Sequence, residues 1–163
     1  MRDQIRSQND IFLSLIITFT TVLLDRATKM YFADLLNLYE SIPVINNIFH
    51  VTLVYNTGMA FGMFKDYGAV FIAIPIIVIS LGILLAFNIY YYRKNNEALS
   101  RTYIAGFSLI LGGAIGNLYD RISFGYVIDF LDFRIWPVFN IADSAITVGG
   151  VIIAIKCFQV SKN

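Results

Sequence analysis

The chain has 163 residues, 58% of them hydrophobic and only 14% charged, with a net charge of +1 and a single cysteine, Cys157. A soluble domain carries about 25% charged residues. With a mean hydropathy of +0.69, a water-soluble globule, a disordered chain and a fibrous repeat are excluded. So are a disulfide scaffold and a basic surface for nucleic acid. The composition is that of one integral membrane domain spanning 1–163, in which each intramembrane charge is informative.

The first apolar block runs without a charge from Ile11 to Leu24 and continues as helix-compatible sequence through Asp25-Arg26-Ala27-Thr28-Lys29. A helix over about 11–33 is expected. It lacks a small-residue cleavage site and reads as a retained signal-anchor. Asp25 and Lys29 lie i,i+4, close enough for an ion pair along one face. A segment of about 34–68 follows. In it Phe49, Val51, Leu53 and Tyr55 alternate with His50, Thr52 and Val54, the period of a strand with unlike faces. The glycine-bearing stretch from Asn56 through Gly58 to Gly62 comes next, so a small sheet ending in a tight turn is expected.

The second block, Ala69 to Tyr92, has no charge and is long enough to span alone, since a crossing needs about 20 residues. Further helices are expected over about 102–119 and 140–158, with a connecting segment of 120–139. The fold class is therefore an all-α membrane protein of four transmembrane helices, with a small extracytoplasmic β-sheet after the first. Seven basic residues (Arg2, Arg6, Arg93, Lys94, Arg101, Lys156, Lys162) fall on one side, against Lys65 and Arg134 in the loops of the other. Both termini are thus expected to be cytoplasmic.

Polar groups collect at the opposite ends of the helices. Asp25 and Lys29 belong there, as do Asn56 with Gly58, then Asn117, Asp120 and Arg121, then Asp129, and finally Asn140 with Asp143. An ionisable residue near hydrocarbon is costly and persists when paired, facing a cavity or needed. His50 has no second histidine or cysteine near it, so no metal site is expected. Ser144 lacks a histidine partner, and Cys157 reads as an inert thiol. The Gly112-Gly113-Ala114-Ile115-Gly116 run lies inside an apolar helix, where small residues let helices approach.

What remains is carboxylate chemistry. Asp129 and Asp143 both sit among apolar residues, separated by a short turn containing Trp136 and Pro137. Two carboxyls sharing a low-dielectric site do not both ionise easily, so such a pair can act as acid and base on one water. Asp143, close to a helix N-terminus, is the member expected to carry the charge. Asp132 reads as a loop carboxylate and Trp136 as an interfacial anchor. Spacing alone leaves two other classes open: a small transporter or channel subunit using these charges as an ion path, and a non-catalytic scaffold with structural ion pairs.

The runs Asp25–Lys29, Asn56–Gly62, Gly112–Arg121, Val127–Phe130 and Phe139–Ile146, in this order, resemble bacterial signal peptidase II, the lipoprotein signal peptidase family. The resemblance covers nearly the whole chain. It implies an intramembrane aspartic endopeptidase of the bacterial cytoplasmic (inner) membrane, working at the outer leaflet without a cofactor. Its substrates would be diacylglyceryl-modified prolipoproteins, cut just before the lipidated cysteine. By motif, Asp129 and Asp143 are the catalytic pair. Asp25, Lys29, Asn56, Gly58, Asn117, Arg121 and Asn140 are the supporting or substrate-binding positions. The partners implied are lipidated substrate and membrane lipid, with no nucleic acid, and nothing requires more than a monomer.

Overall fold

The computed structural model describes residues 2–57 and 101–160. The expected helix over 69–92, Gly58, Lys65 and the basic pair Arg93-Lys94 lie outside the described residues. In chain order the described elements are α1 (Arg2–Leu35), β1 (Ser41–Ile45), β2 (Phe49–Asn56), α2 (Arg101–Phe124), β3 (Val127–Asp132) and α3 (Ile141–Val160). Three stretches, Gln8–Leu35, Arg101–Phe124 and Ile141–Gln159, are long and apolar enough to cross a membrane. Even the shortest, at 19 residues, reaches about 28 Å at 1.5 Å per residue, close to the hydrocarbon thickness of a bilayer.

Large apolar side chains point outward along these helices. Phe12, Leu15 and Phe19 on α1 and Val151, Ile155 and Phe158 on α3 are more than half exposed. Such a surface has lipid as its natural solvent. Between the helices the contacts are made by small and hydroxylated residues instead. The Ser108 hydroxyl donates to Ser14 Oγ (2.8 Å), and the Thr18 hydroxyl to the Ser108 carbonyl (3.3 Å). Gly113 lies so tightly against Ala142 of α3 that an added Cβ would overlap the Ala142 carbonyl and meet Ile146 Cγ1 at 2.8 Å. At Gly116 an added Cβ would meet the Asp25 carboxylate of α1 at 2.5 Å. The glycine run read as a helix-contact surface is therefore one.

Helix α2 continues five residues past the expected end at Tyr119 and stops at Phe124. The charges of Asp120 and Arg121 suggested an earlier exit from the membrane. Asp120 is instead fully buried and paired with Arg26 and Lys29 of α1, so the helix carries it without an unmatched charge. Termination falls to Gly125, whose φ of +80° is the left-handed conformation that favours glycine after a helix. Its amide donates to the Arg121 carbonyl (3.1 Å). At the other end of the chain, α1 begins at Arg2, ahead of the expected start at Ile11.

The sheet has the order β1-β2-β3, all antiparallel. Only β2 was legible beforehand; the partner strands come from either side of it, and β3 is drawn from the segment before α3. Pro43 fits on β1 because an edge strand can spare an amide donor. β2 lies over the end of α1, burying Leu53 with Leu36 and Ile128, flanked by Ala33, Val51, Tyr55 and Tyr126. The Phe32 and Phe130 rings meet at 4.6 Å. A register irregularity between Val51 and Val54 shifts the pairing so that Val54 opposes Asp129, a bulge that aims side chains beside the polar cluster.

The close approach of α2 and α3 makes a direct prediction. Gly113→Ala should lower stability by about 1–3 kcal/mol, the usual cost of overpacking. Gly150→Ala, whose Cβ would meet nothing within 4 Å, should be neutral or slightly stabilising. Thermal unfolding of the two variants in detergent checks the contrast.

Candidate active site

The site forms where α3 begins. Asn140 precedes the helix, and its side-chain oxygen accepts the Asp143 amide (2.9 Å) while Asp143 Oδ2 accepts the Asn140 amide (3.3 Å). This reciprocal pair is a capping box, with Asp143 at the third helical position. The amide between them, that of Ala142, donates to Asp25 Oδ1 of α1 (3.0 Å). Two donors of the helix start, which lack intrahelical partners, are thus matched by a local asparagine and by an aspartate 117 residues away in sequence.

Asn140 also reaches Asp129. Its Nδ2 donates to Asp129 Oδ1 (2.7 Å), while Asn56 Nδ2 donates to Asp129 Oδ2 (2.8 Å). One fully buried asparagine therefore touches both aspartates of the expected pair. Asp129 lies on β3, 1% exposed. Burial foremost, and then the charge of Asp143, push its carboxyl up to about 7 against the hydrogen bonds from Asn56 and Asn140. An acid with such a value is partly protonated near neutrality, the condition for proton donation.

Asp143 is half-buried, and its Oδ1 accepts from Asn117 Nδ2 of α2 (2.7 Å). Asn117 Oδ1 in turn accepts from Lys29 Nζ (3.0 Å) and from Asn140 Nδ2 (3.1 Å). Lys29 is completely buried, with Asp25 Oδ2 at 2.8 Å and Asp120 Oδ2 at 2.9 Å. The Asp25 contact is an ion pair without hydrogen-bond alignment. Arg26 closes the cluster on the other oxygen of Asp120 and lies over the Tyr119 ring, 4.5 Å from its centroid. Asp120 Oδ2 further accepts the Ile128 amide (3.2 Å), tying the start of β3 to α2.

Of the residues singled out from sequence, Asp25, Lys29, Asn56, Asn117, Asp129, Asn140 and Asp143 are joined in this one network. Arg121 lies beside it. It donates to the Asn117 carbonyl (3.3 Å), and its charge interacts with Asp143, Asp129 and Asp120. Arg26 and Asp120 were not picked out as site residues. The signal for Asp120 was present, since it stands three residues after Asn117 and so shares its helical face. Arg26 offered the same kind of signal, three residues before Lys29, but its partner Asp120 lies on another helix.

Asp132 needs correction: it ends β3 rather than sitting in a loop, and is buried. Burial works against its charge, yet the Thr52 hydroxyl (2.7 Å) and the Arg134 amide (2.8 Å) hold its carboxyl below the usual carboxylate range. Arg134 also donates to His50 Nδ1 (2.9 Å), which joins that histidine to the cluster at the far end of the sheet, while its Nε2 is buried with no hydrogen-bond partner among the described residues. Cys157 is exposed on α3.

The described residues thus combine three helices long and apolar enough to cross a membrane with two aspartates held by one buried asparagine. A family model described as "Signal peptidase (SPase) II" matches residues 17–159. The lipoprotein signal peptidase of Halothermothrix orenii is 44% identical over 90% of this chain and 96% of that protein. That of Moorella thermoacetica is 42% identical over 89% and 90%. A solved bacterial membrane enzyme superposes with a TM-score of 0.80 at 30% identity, covering 93% of this chain and 90% of that one. The chain belongs to the signal peptidase II family, aspartic endopeptidases that remove the signal peptide from prolipoproteins.

Two outcomes test the geometry. Because the folded Asp129 holds its proton to about pH 7 while an unfolded aspartate ionises near about 3.9, its contribution to stability is full below the lower value. It is lost as the pH rises through the higher one. The unfolding temperature of the wild type minus that of Asp129→Asn should therefore fall between pH 5 and pH 8. Asn140→Ala removes both the cap and the bridge, and should cost about 1–2 kcal/mol from the cap alone, read as a lowered unfolding temperature at every pH.

Proposed function

We propose that the protein cleaves diacylglyceryl-modified prolipoproteins just before the lipidated cysteine, using one water activated by Asp129 and Asp143. The observation that carries this reading is the bridge of Asn140 between the two carboxylates. Asp143 takes a proton from the water, which attacks the scissile carbonyl while Asp129 donates to the carbonyl oxygen. The roles then reverse as the amine leaves. The uneven hydrogen bonding and burial of the two acids support opposite protonation states at the start.

The site sits at the sheet end of the helices. With 69–92 as a further crossing, the chain has four transmembrane helices in a single domain. The excess of basic residues at the other ends then puts both termini in the cytoplasm of a bacterial cell. The pair lies at the outer leaflet of the inner membrane, where the acyl chains of the substrate stay among the helices and bilayer lipid contributes to binding. Lys29, Asp25, Asn117, Asn140 and Arg121 support the acids, and Asn56 and Gly58 are the further supporting or substrate-binding positions. The enzyme acts as a monomer on lipidated prolipoprotein, without nucleic acid, metal or cofactor.

Against the ion-path alternative stands the mutual pairing of Asp25, Arg26, Lys29 and Asp120. Purified protein incubated with a lipidated prolipoprotein and its unlipidated form should cleave only the former, read by mass spectrometry of the released signal peptide. Asp129→Asn and Asp143→Asn should each lower cleavage at least about a hundredfold, within the range for loss of general acid–base catalysis, while lipidated substrate still binds. Near-normal processing by either variant would overturn the dyad.

A further inference from the structure

We propose that Lys29 is a positioning residue for the reaction, fixing the orientation of the Asn117 amide so that its nitrogen, not its oxygen, faces Asp143. The inference rests on the aspartate-pair reading and extends it to a residue that touches neither acid.

An asparagine amide can in principle take either of two orientations. Here the choice is forced. A lysine ammonium has donors and no acceptor, and Lys29 Nζ lies 3.0 Å from Asn117 Oδ1. Turning the amide over would set its NH2 group against the ammonium and against Asn140 Nδ2, which also donates to Oδ1 at 3.1 Å. It would also set the amide oxygen against the Asp143 carboxylate, now 2.7 Å from Asn117 Nδ2. Lys29 cannot turn away, because Asp25 and Asp120 hold it from two sides within 2.9 Å and no part of it is exposed.

The influence on Asp143 is directional rather than a matter of bulk charge. Arg26 and Lys29 are matched by Asp25 and Asp120, so the cluster is neutral as a whole. What reaches Asp143 is a donor hydrogen bond, which favours the charged carboxylate, joined on its other oxygen by the Asn140 amide. Among the described residues, the charged or titratable groups around Asp143 are Arg121 on α2, Asp129 on β3, and the Asp25–Lys29 pair on α1. Of these charged groups, Lys29 acts on it through the Asn117 amide that it orients. Asp143 is thereby set as the base and Asp129 as the acid.

The test measures kcat, KM and the pH–rate profile with lipidated prolipoprotein, together with the unfolding temperature. Lys29→Met alone leaves Asp25 and Asp120 facing one cation, so it is paired with the double variant Lys29→Met/Asp25→Asn, in which Arg26 and Asp120 balance. In the double variant the unfolding temperature should rise above that of Lys29→Met. Its kcat should remain at least about tenfold below wild type, KM should stay within about twofold, and the acidic limb of the profile should move to higher pH by about one unit, the shift equivalent to tenfold in the ionised fraction. Lys29→Gln, which keeps an uncharged donor, should retain an acidic limb closer to wild type than Lys29→Met. An acidic limb unmoved in both methionine variants, or kcat recovering along with stability in the double variant, overturns the positioning role and leaves Lys29 a structural ion-pair partner. Failure of the wild type to cleave the lipidated substrate would instead strike at the reading of the site itself.

Discussion

Burying a lysine without an aqueous path to its ammonium is the constraint from which much of this structure follows. Lys29 is wholly enclosed, and an ammonium in such a medium is tolerable only when oxygens surround it. Those oxygens come from α1 itself and from α2. The helices must therefore meet at a fixed height, and they can do so only because Gly116 leaves room for Asp25. Removing one partner from such a buried set typically costs about 3–5 kcal/mol. The arrangement therefore works as a register lock between helices whose apolar surfaces would otherwise slide against each other with little preference.

From that lock the rest is positioned in sequence. Asp25 caps the start of α3, Asp120 anchors the start of β3, and Asn117 reaches Asp143. The two acids arrive on different kinds of element, one on a strand and one in the first turn of a helix. Asn140 joins them because it is both the helix cap and the neighbour of the strand. Its carbonyl, amide and side chain are all engaged, which makes it the residue at which the helix cap and the link between the two acids coincide.

The two acids have unequal surroundings. Asp129 is enclosed by the sheet and by Asn56 and Asn140, and its proton is held by lack of solvation. Asp143 remains half-open and receives donors from Asn117 and Asn140. Two identical side chains thus sit in different environments, burial on one side and donated hydrogen bonds on the other, and under the proposed mechanism these suit them to different tasks. At the far end of the sheet Thr52, Asp132, Arg134 and His50 are bonded to one another, and among the described residues the only acidic pair in contact through a shared asparagine lies at the helix mouth.

Much of this could be read from residues alone, because composition and local spacing carry it. Low charge and long apolar blocks fixed a membrane protein, the i,i+4 spacing gave the Asp25–Lys29 pair, and the motif order pointed to the family before any distance was known. The alternation around Leu53 announced β2, since a half-buried strand imposes a period of two. Only the tertiary structure decided the rest. β3 was hidden because it pairs with a strand more than seventy residues earlier in the chain, whereas β1, joined to β2 through a short turn, was obscured by Pro43. The true end of α2 was hidden because Asp120 looks like a surface charge until Arg26 and Lys29 are placed beside it. Charges and amides acquire direction from their partners, and those partners are brought together by folding rather than by sequence order.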